Sequence, residues 1–529
     1  MSYFDAIFAF LFIPILIVIY NIVPKKFRPY FLLAVSFGFF CVISKFLIAF
    51  LLLSILSIYL ITNKFTKIDK ERDEVLEKTD KDNRKEVKTL FSKKKKRWLV
   101  LGILFNVAML FGFKYVNFFG SNLNYIFDLF KLDVHYNIIK YAAPIGISYY
   151  TLQAIAYLVD VYNGKFEAEK NICKVALFLS FFPQIMEGPI VRYNDTADQL
   201  FEGKSVSYNS FCFGYQRVLY GFFKKFVIAD RLNIAVSMIF DSYTTFSGGI
   251  LFLGAIFYTI LLYMEFSGTM DVVIGVGEMF GVKIPENFKQ PFFAKNISEF
   301  WTRWHISLGL WFKDMIFYPV SLSKPVKHLT LHARKIFGNK YGPILCGGIA
   351  LFCVWFLNGL WHGAGWPFLF YGMYHFVMIL SGNLLEPLIQ WLCTKLHINR
   401  QNIVYRVLQS VKMALFVFIG EMFFRAPTVR QGFVMLKRII TNFSFSSFKD
   451  GGLAILGIDV YDLAVIIIGV LVIFVIGLLK ERNINVREEI SKKNIVFRWF
   501  IYYLLIFSII MLGAYGPGYI PVDPIYADF

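Results

Sequence analysis

The chain has 529 residues, 57% of them hydrophobic and 19% aromatic, with a mean hydropathy of +0.57 and a formal net charge of +19. Ordinary soluble domains carry about 45–50% apolar residues, so the composition excludes a water-soluble globular protein and points to a chain that crosses a membrane many times. Six cysteines with no C-x-x-C among them read as small apolar packing residues rather than as zinc ligands or a disulfide framework.

A hydrocarbon core of about 30 Å takes about 20 helical residues. Roughly eleven to thirteen windows of that kind recur along the chain, some broken by Gly and Pro. The first three run from Ile7 to Val23, Tyr30 to Ile43 and Phe46 to Thr62. The opening one lacks a basic start and a small-residue cleavage site, so it reads as a retained helix and not a signal peptide. Residues 63–97 then form a charged loop with 14 Lys or Arg against 8 Asp or Glu. Positive residues collect in cytoplasmic loops, which puts this loop inside and, counting back through the basic turn Lys25-Lys26-Phe27-Arg28, the amino terminus outside. Beside a membrane helix, the Lys93–Arg97 run is a topological signal rather than a nucleic-acid site.

Spans from Trp98 to Phe119 and from Tyr141 to Tyr162 follow. Ile172 to Ile190 is apolar but interrupted by Phe-Phe-Pro-Gln and Gly-Pro, and Tyr215 to Leu232 is amphipathic; both read as re-entrant or interfacial helices. Further spans run from Ile250 to Phe266, Ile344 to Leu360, Trp366 to Leu384, Val404 to Phe424, Leu463 to Leu479 and Trp499 to Tyr515. The basic stretch Lys480 to Arg498 places the carboxy terminus outside as well. The organisation is therefore membrane helices over 1–62, a cytoplasmic charged loop over 63–97, a core over 98–400, further membrane helices over 401–515 and an extracellular tail over 516–529.

Two histidines stand in tryptophan-rich, nearly uncharged company. One is His305, within Phe300-Trp-Thr-Arg-Trp-His305-Ile-Ser-Leu; the other is His362, within Asn358-Gly-Leu-Trp-His362-Gly-Ala-Gly-Trp366. Ionisable residues inside membrane segments are costly and mark reaction paths or cavities, although a histidine can also serve as a plain hydrogen-bond partner between helices. Asn358, His362 and Trp366 recur at i, i+4, one helix face, and Gly359, Gly363 and Gly365 leave room beside them. Arg303, His305, Ser307, Lys313 and Asp314, interleaved with Trp301, Trp304, Trp311 and Phe312, suit a partly buried helix near the cytoplasmic interface. Burial favours the neutral imidazole, the form a general base needs to take a proton from a hydroxyl attacking a thioester. No G-x-S-x-G elbow supports a serine hydrolase. His328 and His332 lack the Glu of H-E-x-x-H, so no metal site is expected.

These residues carry a resemblance to bacterial membrane-bound O-acyltransferases of the alginate O-acetylation type. The similarity extends over Pro144-Ile-Gly-Ile-Ser-Tyr-Tyr-Thr-Leu-Gln153, Phe181-Phe-Pro-Gln184, Gly188-Pro-Ile-Val-Arg-Tyr193 and Gly221-Phe-Phe-Lys-Lys-Phe-Val-Ile-Ala-Asp-Arg-Leu232, in the family's order. The resemblance implies an all-α polytopic fold in which tilted helices surround a central tunnel. It implies His362 as the catalytic base and His305 as a second catalytic residue in the tunnel that guides or polarises the donor, with Asn358, Trp304, Trp361, Arg303, Asp314 and His375 lining it or supporting the histidines. The tail Pro524-Ile-Tyr526-Ala-Asp-Phe529 resembles the F-x-Y-x-x-F tail of polysaccharide-modifying relatives, with Pro524 in place of the first Phe, and implies Tyr526 as an acyl acceptor. The implied activity moves an acyl group, acetyl first, from a cytoplasmic thioester such as acetyl-CoA to a cell-surface glycan, in the bacterial plasma membrane, with an extracellular or membrane-anchored acetyltransferase as partner. No metal, nucleic acid or permanently bound cofactor is expected. The rival within the family is D-alanyl transfer to teichoic acid from a carrier-protein thioester. A secondary transporter or flippase would call for midplane acids, and Glu265, Asp271, Glu278 and Glu421 are the main ones here.

Overall fold

The protein is seen in a computed structural model that describes residues 2–139, 142–448, 454–515, 519 and 522. Among the described residues there are helices and no strands. Among the described residues, eight helical stretches are long and apolar enough to cross a membrane. The chain divides into two compact units, residues 1–214 with 276–285, and residues 215–275 with 286–529.

In the first unit, the helices Ile13–Ile22 and Arg28–Ser44 each carry a proline in their first turn, where the missing N–H costs nothing. The charged segment expected as a loop is instead two helix extensions: Ile48–Glu77 and Arg84–Lys114 leave only residues 78–83 as a turn. Lys, Arg and Glu are good helix formers, and Lys94–Glu71 and Lys95–Asp69, both at 2.7 Å, tie the two extensions together. In the same pair, Ser54 Oγ donates to Asn106 Oδ1 at 2.6 Å and Asn106 Nδ2 donates to Ser57 Oγ at 3.1 Å.

The span expected from Tyr141 begins at Ile147, because Pro144 and Gly146 set the start of the buried helix Ile147–Tyr162. Gly146 has φ +73°, and a Cβ there would lie 1.7 Å from the carbonyl oxygen of Ile185. Gly146→Ala is therefore expected to cost about 1–3 kcal/mol, read as a lowered thermal midpoint of the detergent-purified protein. The interrupted stretch becomes the helix Ile172–Ser180 followed by buried irregular chain through Val191. Non-helical backbone at membrane depth survives only where protein satisfies it. Here Tyr3 Oη donates to the Phe182 carbonyl at 2.9 Å and accepts from Met186 N, and Ser36 Oγ accepts from Phe182 N.

In the second unit, the amphipathic segment is π-helical over Phe223–Ala229 and continues as the helix Asp230–Asp241. The helix Gly248–Met279 comes close to the end of the helix Tyr208–Phe222: a Cβ on Gly221 would lie 2.5 Å from the Gly268 carbonyl oxygen. Lys324–His362 bends at Gly338, and Gly363 to Gly365 turn the chain into Trp366–Lys395. Ile403–Arg425, Val429–Thr441, Val460–Glu481 and Ile495–Leu512 complete the unit.

Candidate active site

All of the histidines in question lie in the second unit. The segment expected as one helix is two short ones, Ile297–Arg303 and Ile306–Phe312, broken at Trp304 and His305. His305 sits in the left-handed region, φ +47° and ψ 51°, a conformation a non-glycine residue keeps only when its surroundings hold it. Asn287 does the holding. Its carbonyl accepts from Ile306 N at 3.0 Å. Its Oδ1 accepts from Ser307 N at 3.0 Å and Ser307 Oγ at 2.9 Å, and faces His305 Nδ1 at 3.3 Å. Because an amide oxygen only accepts, Nδ1 carries the proton and Nε2 keeps its lone pair. His305 is buried, 2% exposed, and contributes as a hydrogen-bonding group.

His362 is the last residue of its helix and is buried. Trp361 joins the two motifs, its ring 5.6 Å from that of His305 and 5.1 Å from that of His362. Phe424 and Tyr371 close the other side of His362 at 5.3 and 5.9 Å. Tyr371 in turn stacks edge-on against His375 at 4.6 Å, and Trp301 Nε1 donates to His375 Nδ1 at 3.3 Å. The three imidazoles thus stand along one row of rings, His305, Trp361, His362, Tyr371 and His375. His375 is fully buried among Trp301, Trp355 and Tyr374, which suits a packing and orienting role.

Several expected roles shift. Asn358 is buried one turn before His362, but the helix ends at His362, so Trp366 opens the next helix and is 59% exposed. The glycines beside them are filled by that helix: a Cβ on Gly359 would lie 2.6 Å from the Phe368 carbonyl oxygen, and one on Gly363 would lie 2.2 Å from the Phe368 ring. Trp304 packs on Phe288 and Phe300 at 5.0 and 5.5 Å. Arg303 is a staple, paired with Glu299 at 2.9 Å and Glu481 at 2.5 Å. Asp314 is half-buried on the π-helical turn Lys313–Phe317. Tyr526 lies outside the described residues.

Sequence reading missed Asn287, which carries no motif signal. It also missed the ionic cluster beside it: Lys224 Nζ bonds Asp271 at 2.7 Å and Ser267 at 3.0 Å, while Arg217 pairs with Asp271 at 3.0 Å and Glu286 at 2.5 Å. A cleft of about 40 Å³ runs past Arg217, Lys224 and Lys480 to Asn287, space for about one water. It connects the exposed carboxylate of Glu286 with the residue that orients His305.

Residues 168–334 match the family described as MBOAT, membrane-bound O-acyltransferase family. A Pseudomonas aeruginosa protein named "Probable alginate O-acetylase AlgI" is 32% identical over 398 residues, 75% of this chain and 70% of that one. A Pseudomonas putida protein of the same name is 37% identical over 284 residues, so this chain spans about half of it, 54%. A Helicobacter pylori "Peptidoglycan O-acetyltransferase" is 33% identical over 308 residues, 53% of this chain and 54% of its own length. With two buried histidines brought to one indole and this breadth of similarity, the chain belongs to the membrane-bound O-acyltransferase family.

Proposed function

We propose that this protein transfers an acyl group, acetyl as the first choice, from a cytoplasmic thioester across the membrane for O-acylation of a cell-surface or secreted glycan. The observation that carries the reading is the convergence of His305 and His362 on Trp361 in a buried, tryptophan-lined setting. The His362 imidazole takes the proton of an acceptor hydroxyl as its oxygen attacks the thioester carbonyl. The tetrahedral adduct collapses, the C–S bond breaks, and the leaving thiolate takes the proton back from the imidazolium. A positioned general base contributes roughly 10²- to 10⁴-fold to such a step. His305, oriented by Asn287, holds the donor carbonyl region against Trp361.

The basic stretch 480–498, which begins at Lys480 beside the cleft at Asn287, supports a cytoplasmic side there for the donor. Acetyl-CoA fits that reading as the donor. Tyr526, on a tail that the charge distribution places outside, is the first acceptor, and a separate extracellular or membrane-anchored transferase completes delivery. A phenol with a reference pKa of about 10 needs such a base to act as a nucleophile at neutral pH.

The test is to delete the gene and measure acetate and D-alanine released by mild base from each surface-polymer fraction. Loss of acetate from one fraction is the expected result and identifies the acceptor. Loss of D-alanine from a teichoic acid fraction replaces the donor assignment with a carrier-protein thioester. No change in any ester removes the acyltransferase reading.

A further inference from the structure

The sequence block Lys225-Phe226-Val227-Ile228-Ala229-Asp230-Arg231 has no part in the histidine row, yet its three charged side chains are all buried. Local geometry explains how they gather. The segment is π-helical, with Asp230 N–H bonded to the Lys225 carbonyl, so residues five apart stand side by side. Lys225 Nζ and Asp230 Oδ1 meet at 3.0 Å.

A buried ion pair recovers its desolvation cost only when further hydrogen bonds satisfy its remaining protons and lone pairs. Both partners direct those bonds to one residue. Lys225 Nζ donates to the Val522 carbonyl at 2.5 Å, and Asp230 Oδ1 accepts from Val522 N at 2.8 Å. The same corner grips the chain leading there. Arg231 donates to the Leu512 carbonyl at 2.7 Å, pairs with Asp462, and reaches Tyr519 Oη at 3.4 Å with its guanidinium 5.7 Å from that ring. Ala514 N donates to the Phe226 carbonyl at 2.8 Å.

We propose that the Lys225–Asp230–Arg231 corner is a receptor for the C-terminal segment, which it holds mainly through main-chain groups at Leu512, Ala514 and Val522. Gripping both the N–H and the C=O of Val522 fixes the register of the chain, as a neighbouring strand would. Tyr526 follows four residues later, within at most about 14 Å of chain, so the clamp sets the reach of that hydroxyl. Lys225, Asp230 and Arg231 are then positioning residues for acyl transfer. The part played by Tyr526 rests on the acyltransferase reading above; the clamp does not.

Val522→Pro removes the N–H given to Asp230 without altering a core residue, whereas Val522→Ala keeps both backbone groups. In the full-length protein in detergent, hydrogen exchange of the amides of Gly513, Ala514, Tyr515 and Tyr519 is expected to rise about tenfold or more in Val522→Pro, the loss of one hydrogen bond to a charged group. Val522→Ala should match wild type. Polymer ester content should fall severalfold in cells carrying Val522→Pro and hold in those carrying Val522→Ala. Unchanged exchange in Val522→Pro, or equal loosening by Val522→Ala, overturns the clamp. Faster exchange with full ester content overturns its positioning role. His362→Ala separates the two claims: esters retained there would sink the acyltransferase reading while leaving the exchange result standing.

Discussion

His362→Ala is expected to bring the ester content of the acceptor polymer down to that of cells lacking the gene, while the protein still accumulates in the membrane. In the proposed mechanism the imidazole takes the acceptor's proton, and its removal forfeits at least about 100-fold of the rate. Alanine also deletes ring contacts with Trp361, Tyr371 and Phe424, so loss of packing must be separated from loss of the base. His362→Asn keeps a polar planar group of smaller size and should be equally inactive, with a thermal midpoint closer to wild type. An active His362→Asn protein would show that the position needs volume and a hydrogen bond, not a base.

Asn287→Ala is expected to lower transfer by about 10- to 100-fold without touching either motif histidine. One Oδ1 serves Ser307 N, Ser307 Oγ and the His305 ring, and each buried donor left unpaired costs about 1–3 kcal/mol. His305 then loses what keeps it in the left-handed region and swings from Trp361. Asn287→Asp retains the acceptor oxygen and should recover much of the rate. Transfer by purified protein, normalised to the folded fraction from a melting curve, checks this: a purely structural role would leave the normalised rate of Asn287→Ala at the wild-type value.

The histidine pair was legible because its chemistry is written in consecutive residues: two imidazoles with tryptophans on either side and almost no charge. What orients His305 was not, because Asn287 lies 18 residues before it and an isolated asparagine in a polar loop has no periodicity or spacing to distinguish it. The break at Trp304 and His305 was hidden for a related reason. Nothing in F-W-T-R-W-H-I-S-L is a helix breaker, and the left-handed turn is imposed by contacts with Asn287 and Phe266. Glycine was ambiguous in the same way: Gly359 and Gly363 promised space, and the neighbouring helix occupies it. Hydropathy windows found the membrane helices but stopped at the first charges, missing the continuation of Ile48–Glu77 and Arg84–Lys114 through lysine- and glutamate-rich turns. The ionic block of Lys225, Asp230 and Arg231 was visible as a motif, while its contact with Val522, some 290 residues on, could come only from tertiary structure.

The most direct test of thioester-to-hydroxyl transfer uses the purified protein in liposomes, supplied with acetyl-CoA labelled in the acetyl group. Label appearing as a base-labile ester on the protein, matched by release of free CoA and abolished by His362→Ala, is the result expected here. Equal labelling of wild type and His362→Ala would contradict the assignment of His362 as the base and, with it, the mechanism.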